Sequence, residues 1–254
     1  MFGSLKQLFH RTPQADWPAV PAGQRVYAVG DIHGHLDLFD AMLAAIAADD
    51  AGSTPAHTTI VLLGDLIDRG PDSAGVIARA RELQRVGRTR ILAGNHEEMF
   101  LLSLTDREVF RSLLRHGGRE TALSFGVDRA AFNAAELEEA QALVRDAVPD
   151  DVIAWLRGLE DMVTIGDYLF VHAGINPAVP VAEQQTRDLR WIREPFLSHG
   201  APHPLMVVHG HTIVPEPVER VNRIGIDTGA YRTGRLTALR LEGADRRFME
   251  ATVD

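Results

Sequence analysis

Short apolar runs alternate along this chain with stretches whose apolar positions recur every three or four residues. Residues 26–29, 60–63, 91–92, 168–171 and 205–208 read as buried strands, being short, rich in β-branched residues and often followed by glycine. Between the first two, Leu36, Phe39, Leu43 and Ile46 keep helical spacing. Between the next two, Val76, Ile77, Ala80 and Leu83 do the same behind a cap at Asp72 or Ser73. The order β-α-β-α-β predicts an α/β domain with a partly parallel sheet. Residues 98–160 are mostly helical in pattern, with Thr105 and Glu108 as a candidate capping box and Gly117-Gly118 as a break. From Arg223 to Leu241, turns and short extended runs predict strands that close a sheet. No linker or repeat divides the sequence. It reads as a single domain over 1–254, with an N-terminal tail at 1–22 and a helical insertion at 98–160.

Composition narrows the function. With 254 residues, 45% of them hydrophobic and 24% charged, the chain suits a globular enzyme. A net charge of −9 argues against a long nucleic acid as partner, which would need a broad basic surface. Locally concentrated cations can still hold a small polyanion. The absence of cysteine excludes disulfides, thiolate nucleophiles and zinc–thiolate sites, leaving eleven histidines as the nitrogen donors of interest. No apolar run is long enough to span a membrane, and the first fourteen residues lack the apolar core of a secretory signal, so a cytoplasmic location is expected. Phe2, Leu5, Leu8 and Phe9 have helical spacing and are read as a tail packing on its own domain.

Chemistry gathers where the strands end. Gly30-Asp31-Ile32-His33-Gly34 follows the first strand, and extended geometry would point Asp31 and His33 the same way. Gly64-Asp65-Leu66-Ile67-Asp68-Arg69-Gly70 follows the second, and Gly94-Asn95-His96-Glu97 the third. His172 ends the fourth, and His209-Gly210-His211-Thr212 follows the fifth. Each block alone has an ordinary explanation as a turn, a helix cap or a hydrogen-bonded core histidine. Five strands delivering Asp, His or Asn at their carboxyl ends, where open α/β sheets bind ligands, point instead to one site. Burying so many polar groups without a shared partner would be costly, and a metal cluster removes that penalty.

In this order the blocks resemble the calcineurin-like metallophosphoesterase superfamily, and within it the bacterial serine/threonine phosphoprotein phosphatases of the bacteriophage lambda type. The resemblance implies a two-sheet sandwich flanked by helices, a four-layer α/β/β/α fold. It implies two divalent metal ions, manganese with iron or zinc as alternatives. Asp31 and His33 would hold one and Asn95, His172 and His211 the other, with Asp65 bridging. A metal-bound hydroxide would attack phosphorus, His96 would act as general acid oriented by Asp68, and Arg69 with Arg193 would grip the phosphoryl oxygens. His209 has no ligand role in the pattern and would lie behind the ligands. The implied substrate is a phosphorylated protein or peptide. Symmetrical diadenosine tetraphosphate hydrolases share most of the blocks. They usually lack an acid at the position of Asp68, and their third block often has Asp where this chain has Glu97. Ala93, where many phosphoprotein phosphatases have arginine, pulls the other way. A small phosphate ester or dinucleotide is therefore the alternative, and a metal-binding regulatory protein without turnover a remote one. Tyr231, after Asp227-Thr228-Gly229, is a candidate substrate contact. Trp191 reads as packing, Glu136, Glu138 and Glu139 as a solvated helix face, and Arg79, Arg81, Arg85, Arg88 and Arg90 as the exposed side of a helix.

Overall fold

The computed structural model describes residues 17–253; the apolar positions among residues 2–9 lie outside that range. Among the described residues ten strands form two sheets. They are β1 (Gln24–Val29), β2 (His57–Leu62), β3 (Thr89–Ile91), β4 (Met162–Ile165), β5 (Tyr168–Val171), β6 (Met206–His209), β7 (Val218–Glu219), β8 (Arg223–Gly225), β9 (Arg235–Glu242) and β10 (Asp245–Thr252). The first sheet has the order β10-β9-β1-β2-β3, with β1, β2 and β3 parallel and β9 antiparallel to β1. The second has the order β4-β5-β6-β8-β7, with β5, β6 and β8 parallel.

Strand alternation sorts side chains between layers. Val26 and Ala28 of β1 join Tyr168, Phe170, Val208 and Ile224 in a core between the sheets. Tyr27 and Val29 face the helical layer with Phe39, Met42, Val76 and Ile77. Those helices are α1 (Leu36–Ala51) and α2 (Ser73–Val86), the latter capped by Asp72, whose carboxylate accepts from the Gly75 amide. The outer face of the second sheet, Leu169, Val171 and Val207, packs on Leu189, Ile192 and Phe196. Helix, sheet, sheet and an outer helical segment make the expected four layers.

Between β3 and β4 the chain is helical: α3 (Asn95–Ser103), α4 (Arg107–Arg115), α5 (Gly118–Ser124), α6 (Arg129–Ala134), α7 (Leu137–Ala147) and α8 (Asp150–Arg157). The capping residue of α4 is Asp106, not Thr105. Its carboxylate accepts from the Glu108 and Val109 amides, and a charged acceptor suits the positive end of a helix better than a hydroxyl. Glu136 and Glu139 cap α7, while Glu138 pairs with Arg107. Arg79, Arg81 and Arg90 pair with Asp40, Asp151 and Glu160 of this chain, which accounts for much of the basic stretch without a partner. A 3₁₀ turn at Val181–Glu183 and two short helices, α9 (Thr186–Trp191) and α10 (Ala230–Thr233), complete the described elements. No helix among the described residues is long and apolar enough to cross a membrane.

Candidate active site

Asp31, Asp65, Asn95, His172 and His211 follow the ends of β1, β2, β3, β5 and β6 and meet over the two parallel strand sets. The connections are tight. His33, Asp65, Asp68, Arg69 and His211 are the non-glycine residues with left-handed backbone (φ between 49° and 72°) among the described residues. Such geometry is strained by about 1–3 kcal/mol each, and it concentrates on residues the sequence had singled out. It also changes one expectation. His33 is not extended, so strand alternation does not align it with Asp31. His33 Nε2 lies 3.5 Å from Asp65 Oδ2, whereas the Asp31 carboxylate accepts from the His211 amide at 3.1 Å. Glycine makes these approaches possible, since a Cβ on Gly94 would collide with the Asp65 carboxylate.

Asp65 is the centre. His33, Asp65 and His96 form one group of donor atoms within 4.8 Å of one another, and Asp65, His172 and His211 form another. Burial and the nearby Asp227 and Asp65 push Asp31 well above the ordinary carboxylate range. Burial also raises Asp65, but His172, His96, His33 and His211 more than offset it and hold that carboxyl low. Burial lowers His33 and His172 and brings His211 down to about 3, keeping these imidazoles neutral, which is the form that ligates metal.

The proton positions fit a cation. His33 Nδ1 donates to the Ile67 carbonyl and His172 Nδ1 to the Leu63 carbonyl, both at 2.8 Å. With the proton on Nδ1, each Nε2 lone pair faces the cluster, the usual way a protein orients an imidazole ligand. His172 Nε2 meets Asn95 Oδ1 at 3.0 Å and Asp65 Oδ1 at 3.4 Å, three acceptors with no proton among them. His211 Nε2 is buried without a hydrogen-bond partner. Oxygen and imidazole donors without sulfur suit a first-row divalent ion.

His96 belongs to a hydrogen-bonded chain. Its Nδ1 donates to Asp68 Oδ2 at 2.6 Å. Burial lowers its basicity, but Asp65 and Asp68 more than offset this, so His96 is raised. Asp68 Oδ1 in turn accepts from the Thr121 hydroxyl at 2.6 Å, and the Asp68 amide donates to both Thr121 Oγ1 and Ser73 Oγ at 3.0 Å. Thr121, on α5, is fully buried. Sequence reading missed it, because nothing local marks a threonine 53 residues beyond its partner. Thr121→Val, which keeps the shape and deletes the hydroxyl, leaves Asp68 Oδ1 unsatisfied at about 1–3 kcal/mol. Expected are a melting temperature several degrees lower and a roughly tenfold loss of turnover on poor leaving groups, with Thr121→Ser close to wild type. Equal losses on good and poor leaving groups would assign Thr121 to stability alone.

Glu97 was named in the third block, but its role was not foreseen. Its buried carboxylate accepts from the amides of Asp65, Leu66 and Gly94, tying the second and third loops together, and burial raises it to about 7. Asp227 is buried beside Asp31 and raised by burial to about 6.

Above the cluster lies a cleft of about 370 Å³, lined among others by Arg69, Arg193, His116, Trp191 and Tyr231. Arg69 donates to His33 Nε2 at 2.7 Å and to His96 Nε2 at 3.0 Å, and its guanidinium sits 4.2 Å over the Tyr231 ring. Arg193 is exposed at the cleft. Ala93 points into the core, so Arg69 and Arg193 are the cleft's arginines. His209 lies behind His211, its Nδ1 donating to the Gly210 carbonyl and its ring edge-on to Phe196.

A family model described as calcineurin-like phosphoesterase matches residues 24–239. Serine/threonine-protein phosphatase 1 of Salmonella typhimurium is 29% identical over 245 residues, covering 93% of this chain and 98% of that protein. An asymmetrical bis(5'-nucleosyl)-tetraphosphatase of Bacillus velezensis is also 29% identical, over 238 residues, covering 84% of this chain and 87% of the relative. A solved structure described as a putative diadenosine tetraphosphatase superposes with a TM-score of 0.64 at 24% identity, covering 94% of this chain and all of the other.

Proposed function

The chain belongs to the calcineurin-like phosphoesterase family and is a hydrolase, and on that premise we propose that it dephosphorylates phosphoprotein side chains at a two-metal centre. Asp31, His33, Asp65, Asn95, His172 and His211 would hold two divalent ions. The observation that carries this is the pair of donor groups that have Asp65 in common. Two such ions, when bound, ionise a water near neutral pH and polarise the phosphoryl group.

The chain's own residues do the rest. Arg69 and Arg193 neutralise and orient the phosphoryl oxygens in the cleft, the task for which a guanidinium fork is suited. Arg69 is already aimed at the cluster by Tyr231 beneath it. Asp65 and Asp68 raise the basicity of His96, so that once Arg69 turns from its Nε2 to the phosphoryl group the ring can carry a proton there and pass it to the departing oxygen. Asp68 sets the ring's orientation and is in turn fixed by Thr121.

Metal loading is expected to stabilise the fold, because it relieves the repulsion among Asp31, Asp65 and Asp227. At about one hundred times the dissociation constant the gain is about 2.7 kcal/mol, or roughly 5–10 °C for a chain of this size. Melting curves in manganese and in chelator measure it; coincident curves would remove the cation site.

A second reading, cleavage of dinucleoside tetraphosphates, is favoured by the relative of that name at the same 29% identity. Turnover by the metal-loaded protein of phosphoserine, phosphothreonine and phosphotyrosine peptides against diadenosine tetraphosphate separates the two. Faster phosphate release from peptides supports the first reading, and cleavage of the dinucleotide with peptides left intact supports the second.

A further inference from the structure

We infer that Trp191 is a specificity-determining residue of the cleft, a stacking face for a planar aromatic ring on the departing group of the substrate. The inference rests on the phosphoesterase reading above and names the leaving-group chemistry that the cleft selects.

Trp191 ends α9, two residues before Arg193, and lines the same cleft as Asp65, Asn95 and His96. It is 38% exposed, contrary to the packing role its sequence suggested, and Ile213 beside the cleft is 37% exposed. Large apolar side chains left open at the mouth of a polar site mark a binding surface. The indole is held in place: its Nε1 donates to Glu98 Oε2 at 3.1 Å, Glu98 pairs with Arg190 at 3.5 Å, and Arg190 pairs with Asp161 at 2.6 Å. The hydrogen bond uses the edge of the ring. Among the described residues neither an aromatic ring nor a guanidinium stacks on it, whereas the face of Tyr231, the cleft's other large aromatic, is covered by Arg69. A rigid, partly exposed ring with two side-chain torsions gives contact area at little entropic penalty.

Such a face discriminates between leaving groups. A serine or threonine side chain offers it nothing planar, while a phenol ring or a nucleobase can lie flat on it. Stacking of this kind is worth about tenfold in binding. It acts on bound substrate and transition state alike, so it appears in KM more than in kcat.

The test compares wild type, Trp191→Ala and Trp191→Phe, all manganese-loaded, on three substrates: phosphotyrosine and phosphoserine peptides of one sequence, and diadenosine tetraphosphate. The preference in kcat/KM for an aromatic substrate over the phosphoserine peptide is expected to fall about tenfold in Trp191→Ala, through KM, and to recover largely in Trp191→Phe. A fall confined to phosphotyrosine places the ring on the reacting oxygen, and one confined to the dinucleotide identifies the base. Equal losses on all three substrates, or none, would overturn the role. Binding is read separately from turnover: phenylphosphonate should quench indole emission and methylphosphonate should not, with the difference lost in Trp191→Phe. Quenching without turnover of any substrate would uphold the stacking face and overturn the hydrolytic reading instead; no quenching would overturn the stacking face.

Discussion

Replacing Asp65 with asparagine is expected to abolish turnover while leaving the fold intact. The substitution preserves shape but removes the charge that two groups of ligands share. Asp65 Oδ1 faces His172 and Oδ2 faces His33, so an amide must turn its NH2 toward one of them and away from ligation. Removing a group that merely supports a ligand typically weakens metal binding roughly 10–100-fold, and removing the shared ligand should exceed that. Loss of several kcal/mol of charge stabilisation corresponds to at least about 10³-fold in rate. Stability gives an independent signature. In the variant the rise in melting temperature on adding manganese should disappear, whatever the change in the metal-free melting temperature. Metal content by elemental analysis and paired melting curves check both halves. Full activity with normal metal content would contradict the shared role of Asp65.

His96→Asn should separate chemistry from metal binding. His96 lies near the cluster, but its Nδ1 is committed to Asp68, which fits a proton donor better than a ligand. The variant is expected to retain metal and lose about 10²–10⁴-fold on alkyl phosphates, with a much smaller loss on nitrophenyl phosphate, whose departing oxygen needs no proton. The pH profile carries the sign. A general acid works in its protonated form, so the rate on poor leaving groups falls as pH rises through the pKa of His96. Asp68 raises that pKa, so Asp68→Asn should bring the decline to lower pH. If metal content collapses in His96→Asn and turnover falls equally on alkyl and nitrophenyl phosphates, His96 is a ligand rather than an acid.

Local pattern was enough to reveal β1, β2, β3, β5 and β6, the helices at 36–51 and 73–86, and the polar residues that follow those strands; β4 and β10 were not marked by it. The apolar face of a helix or strand is a property of neighbouring residues, and polar groups that follow buried strands must find a common partner. Five blocks spread from Gly30 to Thr212 therefore pointed to one centre. Within those blocks the structure decided what a linear reading could not. Left-handed backbone at His33, Asp65, Asp68, Arg69 and His211 is imposed by the surrounding loops, and it replaced the simple alternation expected for Asp31 and His33. Thr121 reaches Asp68, Glu97 clamps the Asp65 loop and Asp227 approaches Asp31 only because helices and loops far apart in sequence are packed together. Trp191 read as packing; its partial exposure follows from where α9 ends, at the rim of the cleft. The sequence by itself determined which residue types reach the strand ends, since periodicity and burial are local. Their pairing, proton positions and accessible faces belong to the tertiary structure, because hydrogen bonds and cleft walls join residues whose separation along the chain carries no signal.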